Sequence, residues 1–184
     1  IASVAGKRTL VCIVDRNNEL TIPNGDFQLK ESDIVSLILP VEESNSFFKK
    51  MKIKSSPIKS VMIAGGGTTS YYLAKQLNKT GVSVKIIEED KKRCEELSEL
   101  LPDAMIINGS CIDKDLLIAE GITETDALAA LTDLDEENIL LTLYAKKVGK
   151  CKTMTKIDKL TFGEVMSDLE MDTVVSAKTI TAAY

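Results

Sequence analysis

The chain has 184 residues, 44% of them apolar and 28% charged, with a formal net charge of −5. That composition supports a packed core, while the acidic balance and only 4% aromatic residues argue against nucleic acid as a partner. Histidine is absent, which excludes Ser-His-Asp and Cys-His catalysis and any imidazole-liganded zinc site. No apolar run reaches the roughly 20 residues that span a bilayer, and the first residues do not read as a secretory leader. The chain starts at Ile1 and stops at Tyr184 within a helical pattern, so a fragment is expected.

Residues 1–43 read as a small β-rich partial domain. Strands are expected at 9–14, 19–22 and 33–39, separated by the turn formers Asp15 to Asn18 and Pro23 to Asp26 and stopped by Pro40. A piece of that size cannot readily bury a stable core alone. Residues 44–59 read as a linker helix, with Phe47 and Phe48 docked on a neighbour and Lys49, Lys50, Lys52, Lys54 and Lys59 solvated. The same lysines could form a basic strip for a partner or for phospholipid headgroups.

From residue 60 to 184 short apolar strands alternate with helical patterns. Strands are expected at 61–64, 82–88, 104–107, 127–131, 151–157 and 173–175, and helices at 71–78, 91–101, 113–120, 136–148 and 160–169. Such alternation implies an α/β fold, a Rossmann-like, doubly wound parallel sheet. The four cysteines, Cys12, Cys94, Cys111 and Cys151, form no C-x-x-C pair and read as small core residues in a reducing compartment. On the helix at 136–148, Ile139, Leu140, Leu141, Leu143, Tyr144 and Val148 cover much of the circumference, which suits a core face or a subunit contact.

The chemistry-bearing segment is Gly65-Gly66-Gly67-Thr68-Thr69-Ser70, between a strand and a helix. Gly65 permits a tight turn and Gly67 a close backbone approach to a pyrophosphate, with small Ser70 at the third glycine position. Free amides at the start of the helix favour an anion. Glu88 closes the next strand 21 positions beyond Gly67, where a ribose-binding acid is expected, and its charge disfavours a 2′-phosphate. Lys91, Lys92 and Arg93 follow, while Glu89 and Asp90 read as surface and capping residues. No Asp or Glu occurs from residue 44 to 87, so local sequence sets no carboxylate against the bound anion. Tyr71 and Lys75 form a Y-x-x-x-K pair, but beside the phosphates and not at a nicotinamide, so no catalytic role is expected.

With these motifs the sequence resembles the regulator-of-potassium-conductance (RCK, or KTN) family. The resemblance runs through residues 61–77, then Val84 to Glu88 with Arg93, Cys94 and Leu97, then Asn108-Gly109-Ser110 with Asp113. It continues in Thr132-Asp-Leu-Asp-Glu-Glu-Asn138 and Val174 to Ala177, and residues 13–38 resemble the end of the family's small C-terminal domain. The family's tandem duplication would explain that order. The resemblance implies Gly65, Gly67, Thr68 and Thr69 at the phosphates, Glu88 at a ribose, Arg93 by the adenosine, and Ser110 with Thr132 on the far side. It implies NAD(H), with ATP or ADP as alternatives, bound by a non-catalytic regulatory subunit. That subunit would be a homo-oligomer on the cytoplasmic face of the membrane, acting on a membrane-embedded potassium transporter. Ser70 and Ser110 depart from the family's glycine and acid, which points to a weakened site or a pure assembly module. The enzymatic alternative is a dehydrogenase fragment lacking its substrate domain. Residues 177–184 are expected to dock on a sister subunit.

Overall fold

The computed structural model describes residues 8–17, 19–52, 57–159, 169 and 171–176. The chain divides into two compact units, Ile1–Pro57 and Ile58–Tyr184.

In the first unit, β1 (Leu10–Arg16) pairs antiparallel with β2 (Glu19–Thr21) and β3 (Ile34–Ile38) in the order β2-β1-β3. Its register shifts between Val11 and Ile13. Val14 is fully buried, but Leu10, Ile34 and Ile38 stay exposed, as expected of a sheet too small to cover both faces. Helix α1 (Val41–Lys50) starts earlier than the linker expected at 44–59. Pro40 holds extended backbone at its N-cap, and Glu42 and Glu43 in the first turn with Lys49 and Lys50 in the last complement the helix dipole. Phe47 is buried and meets Phe48 edge-to-face at 5.8 Å. The remainder of the expected linker, residues 53–56, lies outside the described residues.

Arg16 anchors this unit: its Nε and Nη2 each donate to the Asp33 carboxylate at 2.7 Å. The guanidinium, helped by the Lys30 N–H, lowers the Asp33 pKa to about 2. A carboxylate with a depressed folded-state pKa stabilises the fold above its unfolded value of about 3.9, and that contribution is lost as pH falls toward 2. Thermal midpoints of the wild type and Asp33→Asn should therefore differ most at neutral pH and converge on acidification through that window. A difference that persists unchanged at pH 2 contradicts the assignment.

The second unit carries six parallel strands in the order β6-β5-β4-β7-β8-β9. They are β4 (Ser60–Ala64), β5 (Ser83–Glu88), β6 (Ala104–Asn108), β7 (Ala127–Ala130), β8 (Lys152–Lys156) and β9 (Thr173–Val175). The connecting helices are α2 (Thr68–Lys79), α3 (Lys91–Leu100), α4 (Lys114–Ala119) and α5 (Asp135–Val148). The helix expected at 160–169 falls, apart from Leu169, outside the described residues, as does the stretch 177–184. Because side chains alternate along a strand, Met62, Ile87 and Leu128 enter one core and Ile63, Ile86 and Ala129 the other, each under its own helices. All four cysteines are free thiols, with Cys94, Cys111 and Cys151 buried in this unit.

On α5 the buried stripe is Asn138, Leu141, Thr142 and Ala145, whereas Leu140 is exposed. Thr142 Oγ1 meets the Thr155 hydroxyl at 2.7 Å, so two of the four inward positions are polar and paired.

Ser70 is fully buried and its hydroxyl has no hydrogen-bond partner among the described residues. An orphaned buried hydroxyl costs about 1–3 kcal/mol. Ser70→Ala should raise unfolding stability by about 1 kcal/mol in a denaturant titration, once the lost packing is counted; a loss of stability would show that the hydroxyl is satisfied.

Candidate functional site

Strand β4 ends beneath a glycine turn that two physical constraints define. Gly65 takes φ +93°, and its N–H continues the sheet by donating to Ile87 O at 2.9 Å. A Cβ there would lie 3.0 Å from Leu131 O and from Thr132 Cα, so glycine allows the β7 loop to pack against the turn. Gly66 donates its N–H to Glu88 Oε2 at 2.6 Å, and Glu88 Oε1 accepts from Asp90 N at 2.8 Å. Arg93 Nε in turn donates to Gly66 O at 2.8 Å. The central glycine is thus held through both its amide and its carbonyl.

Gly67 is the N-cap of α2, and no side chain caps the helix. The first helical hydrogen bond runs from Tyr71 N to Gly67 O, which leaves the amides at the start of the helix to other acceptors. A Cβ on Gly67 would meet nothing within 4 Å. Here the backbone faces open space.

That space is a cleft of about 200 Å³ at the carboxyl ends of β4, β5 and β7. Strand order reverses there, β4 lying between β5 on one side and β7 on the other, which is where open α/β sheets bind ligands. It is lined by Gly65, Gly66 and Gly67 after β4, Glu88 and Glu89 at the end of β5, Ser110 and Cys111 after β6, and, at the β7 end, Leu131 to Leu134 with Glu137 of α5. Asn108 Nδ2 fixes the acidic end by donating to Glu88 O at 3.1 Å and Glu89 O at 2.9 Å. Asn138, wholly buried, fixes the opposite end. Its Oδ1 accepts from Thr132 N and Oγ1, both at 2.9 Å, while its Nδ2 donates to Thr132 O at 3.1 Å and Lys156 O at 3.0 Å. Asp135 ties down the segment after β8 by accepting from Asp158 N and Lys159 N. Burial opposes its ionisation, but these two amides outweigh that and hold its pKa below the usual carboxylate value. Burial also pushes the Cys111 thiol up to about 11, so it is protonated at neutral pH.

A family model described as the TrkA-N domain matches residues 61–177. The chain belongs to the TrkA-N family. Trk system potassium uptake protein trkA homolog 1 of Methanosarcina mazei is 31% identical over 173 residues, which is 94% of this chain and 43% of that protein. The TrkA-N chain therefore spans about two fifths of the length of that curated relative. The GsuK RCK domain shares the fold with a TM-score of 0.65 at 19% identity, over 95% of this chain and 37% of that one. A GsuK channel bound to NAD matches with a TM-score of 0.58 at 15% identity, over 76% of this chain and 27% of that one.

Of the residues the sequence singled out, Gly65, Gly67, Glu88, Ser110 and Thr132 line the TrkA-N cleft. Thr68 and Thr69 stand exposed on the first turn of α2, next to Gly67. Arg93 does not line the cleft: it braces Gly66 and pairs with Glu96 at 2.8 Å. Asp90 caps α3 as expected, accepting from Lys92 N at 2.8 Å. Lys75 Nζ and Tyr71 OH do meet, at 3.2 Å, but neither lines the cleft.

Sequence reasoning missed Glu89, Cys111, Asp133 and Glu137 as lining residues. Although residues 44–87 hold no carboxylate, folding brings acids from β5, the loops after β5 and β7, and α5 to the rim of the cleft. Among the described residues no group of acids or thiols is arranged to hold a metal ion, and no helix is long and apolar enough to cross a membrane.

Proposed function

We propose that this chain is the nucleotide-sensing part of a regulatory subunit of a potassium uptake system, binding NAD(H) or an adenine nucleotide without transforming it. The observation that carries the reading is Gly67, whose missing Cβ opens the α2 N-terminus onto a cleft that ends at Glu88. A phosphate fits that cradle: the amides of Gly67, Thr68 and Thr69 would hold the diphosphate, and Glu88 would accept from the ribose hydroxyls. Ser110 and Thr132 would bound the far side by shape, since the Thr132 hydroxyl is engaged by Asn138. Arg93 would act by holding the loop in register, through Gly66.

The relative's name, a Trk potassium uptake protein, and the GsuK channel bound to NAD support this role. The partner would be a membrane-embedded transporter subunit, and the protein a homo-oligomer on the cytoplasmic face of the membrane. Binding regulates only if the ligand prefers one conformation, since equal affinity for two states moves neither. Calorimetric titration of the chain with NADH, NAD, ADP and ATP tests the reading. Saturable binding of at least one supports it; failure of all four with the fold intact by circular dichroism overturns it.

A further inference from the structure

Among the described residues four carboxylates line the cleft, Glu88, Glu89, Asp133 and Glu137, and no lysine or arginine does. Two of them have partners. Glu88 accepts from Gly66 N and Asp90 N, and Asp133 faces Lys156 Nζ at 3.3 Å. Glu137 has no hydrogen-bond or ion-pair partner among the described residues. It stands in the first turn of α5, at the β7 end of the cleft.

The strand order β5-β4-β7 gives the cleft a direction. A ribose at Glu88 and a diphosphate over Gly67 leave the third position in line to Thr132 and Glu137. In a nucleoside triphosphate that position takes a further anionic phosphate; in a dinucleotide it takes a second ribose, whose hydroxyls can donate to a carboxylate. We propose that Glu137 is a specificity-determining residue that admits a dinucleotide and rejects a nucleoside triphosphate. The inference rests on the nucleotide reading given above and deepens it. Like charge meeting like acts against the wrong ligand, because the Lys156 cation at that end is already held by Asp133 and Asp158, while the right ligand gains a hydrogen bond.

A carboxylate in the first turn of a helix also favours the helix dipole, so a control is needed. Glu136 supplies it, lying in the same first turn but not lining the cleft. Affinities for NADH and ATP should be measured by calorimetry on the wild type, Glu137→Gln and Glu136→Gln, each with EDTA and with magnesium. Glu137→Gln should tighten ATP binding about 10-fold and change NADH affinity less than about threefold. Glu136→Gln should leave the ratio of the two affinities at its wild-type value. An unchanged ratio in Glu137→Gln overturns the proposal. So does ATP binding that needs magnesium in the wild type and is lost in Glu137→Gln, which would make the carboxylate a cation ligand. Failure of the wild type to bind either NADH or ATP overturns this proposal, and if NAD and ADP also fail the parent reading falls with it; both outcomes are distinct from an unchanged ratio.

Discussion

Gly65→Ala should unfold the second unit at markedly lower temperature, whatever becomes of the ligand. At φ +93° an alanine is strained by about 1–3 kcal/mol. Its Cβ would also press at 3.0 Å on Leu131 O and Thr132 Cα, which are backbone and cannot rotate away. Overpacking of that kind costs about 1–3 kcal/mol more. The sum, about 4 kcal/mol, is a large share of the 5–15 kcal/mol that hold a domain together. A fall of about 10 °C in the calorimetric midpoint is the expected reading. A shift under about 2 °C would mean that the β7 loop moves freely away from the turn.

Gly67→Ala should behave in the opposite way, although it lies only two positions further on. Its φ of −65° suits alanine, and a Cβ meets nothing within 4 Å, so the fold should keep its stability to within about 1 kcal/mol. The added methyl instead occupies the open space above the α2 amides, where a phosphate has to approach. Losing two charge-assisted hydrogen bonds at about 1.5 kcal/mol each amounts to about 100-fold in affinity. The paired measurement is a thermal midpoint and a nucleotide dissociation constant for the variant and the wild type. Unchanged affinity with unchanged stability would place the ligand elsewhere.

The contrast between these two glycines shows what the sequence carries and what it does not. The alternation of strands and helices in residues 60–157 is legible because the central strands β4 and β7 are short apolar runs, buried on both faces. The turn, the helix start and Glu88 follow from local spacing in the same way. Arg93 is different. Its charge beside the loop suggests a ligand contact, but its Nε is committed to Gly66 O, a partner 27 residues away. Asn138 and Thr142 are not marked as core by the apolar pattern of α5, yet their hydrogen bonds to β8 let them be buried. The acidic rim is the least legible feature. Glu89, Asp133 and Glu137 are scattered along the chain and meet only because β7 crosses to the other side of β4. In the first unit, Pro40 reads as a strand stop and also serves as the N-cap of α1, so the helix begins a few residues before the linker helix expected from residue 44.

The central claim is that a nucleotide's diphosphate rests on the amides of Gly67, Thr68 and Thr69. Backbone amide spectra of the isotope-labelled chain, titrated with NADH and separately with ADP, test it most directly. The account predicts saturable shifts that are largest at Gly67, Thr68 and Thr69, with smaller ones at Gly66 and Glu88 and none at Ser83 or Lys85 on the opposite end of the sheet. Saturable binding that leaves those three amides unmoved would contradict it.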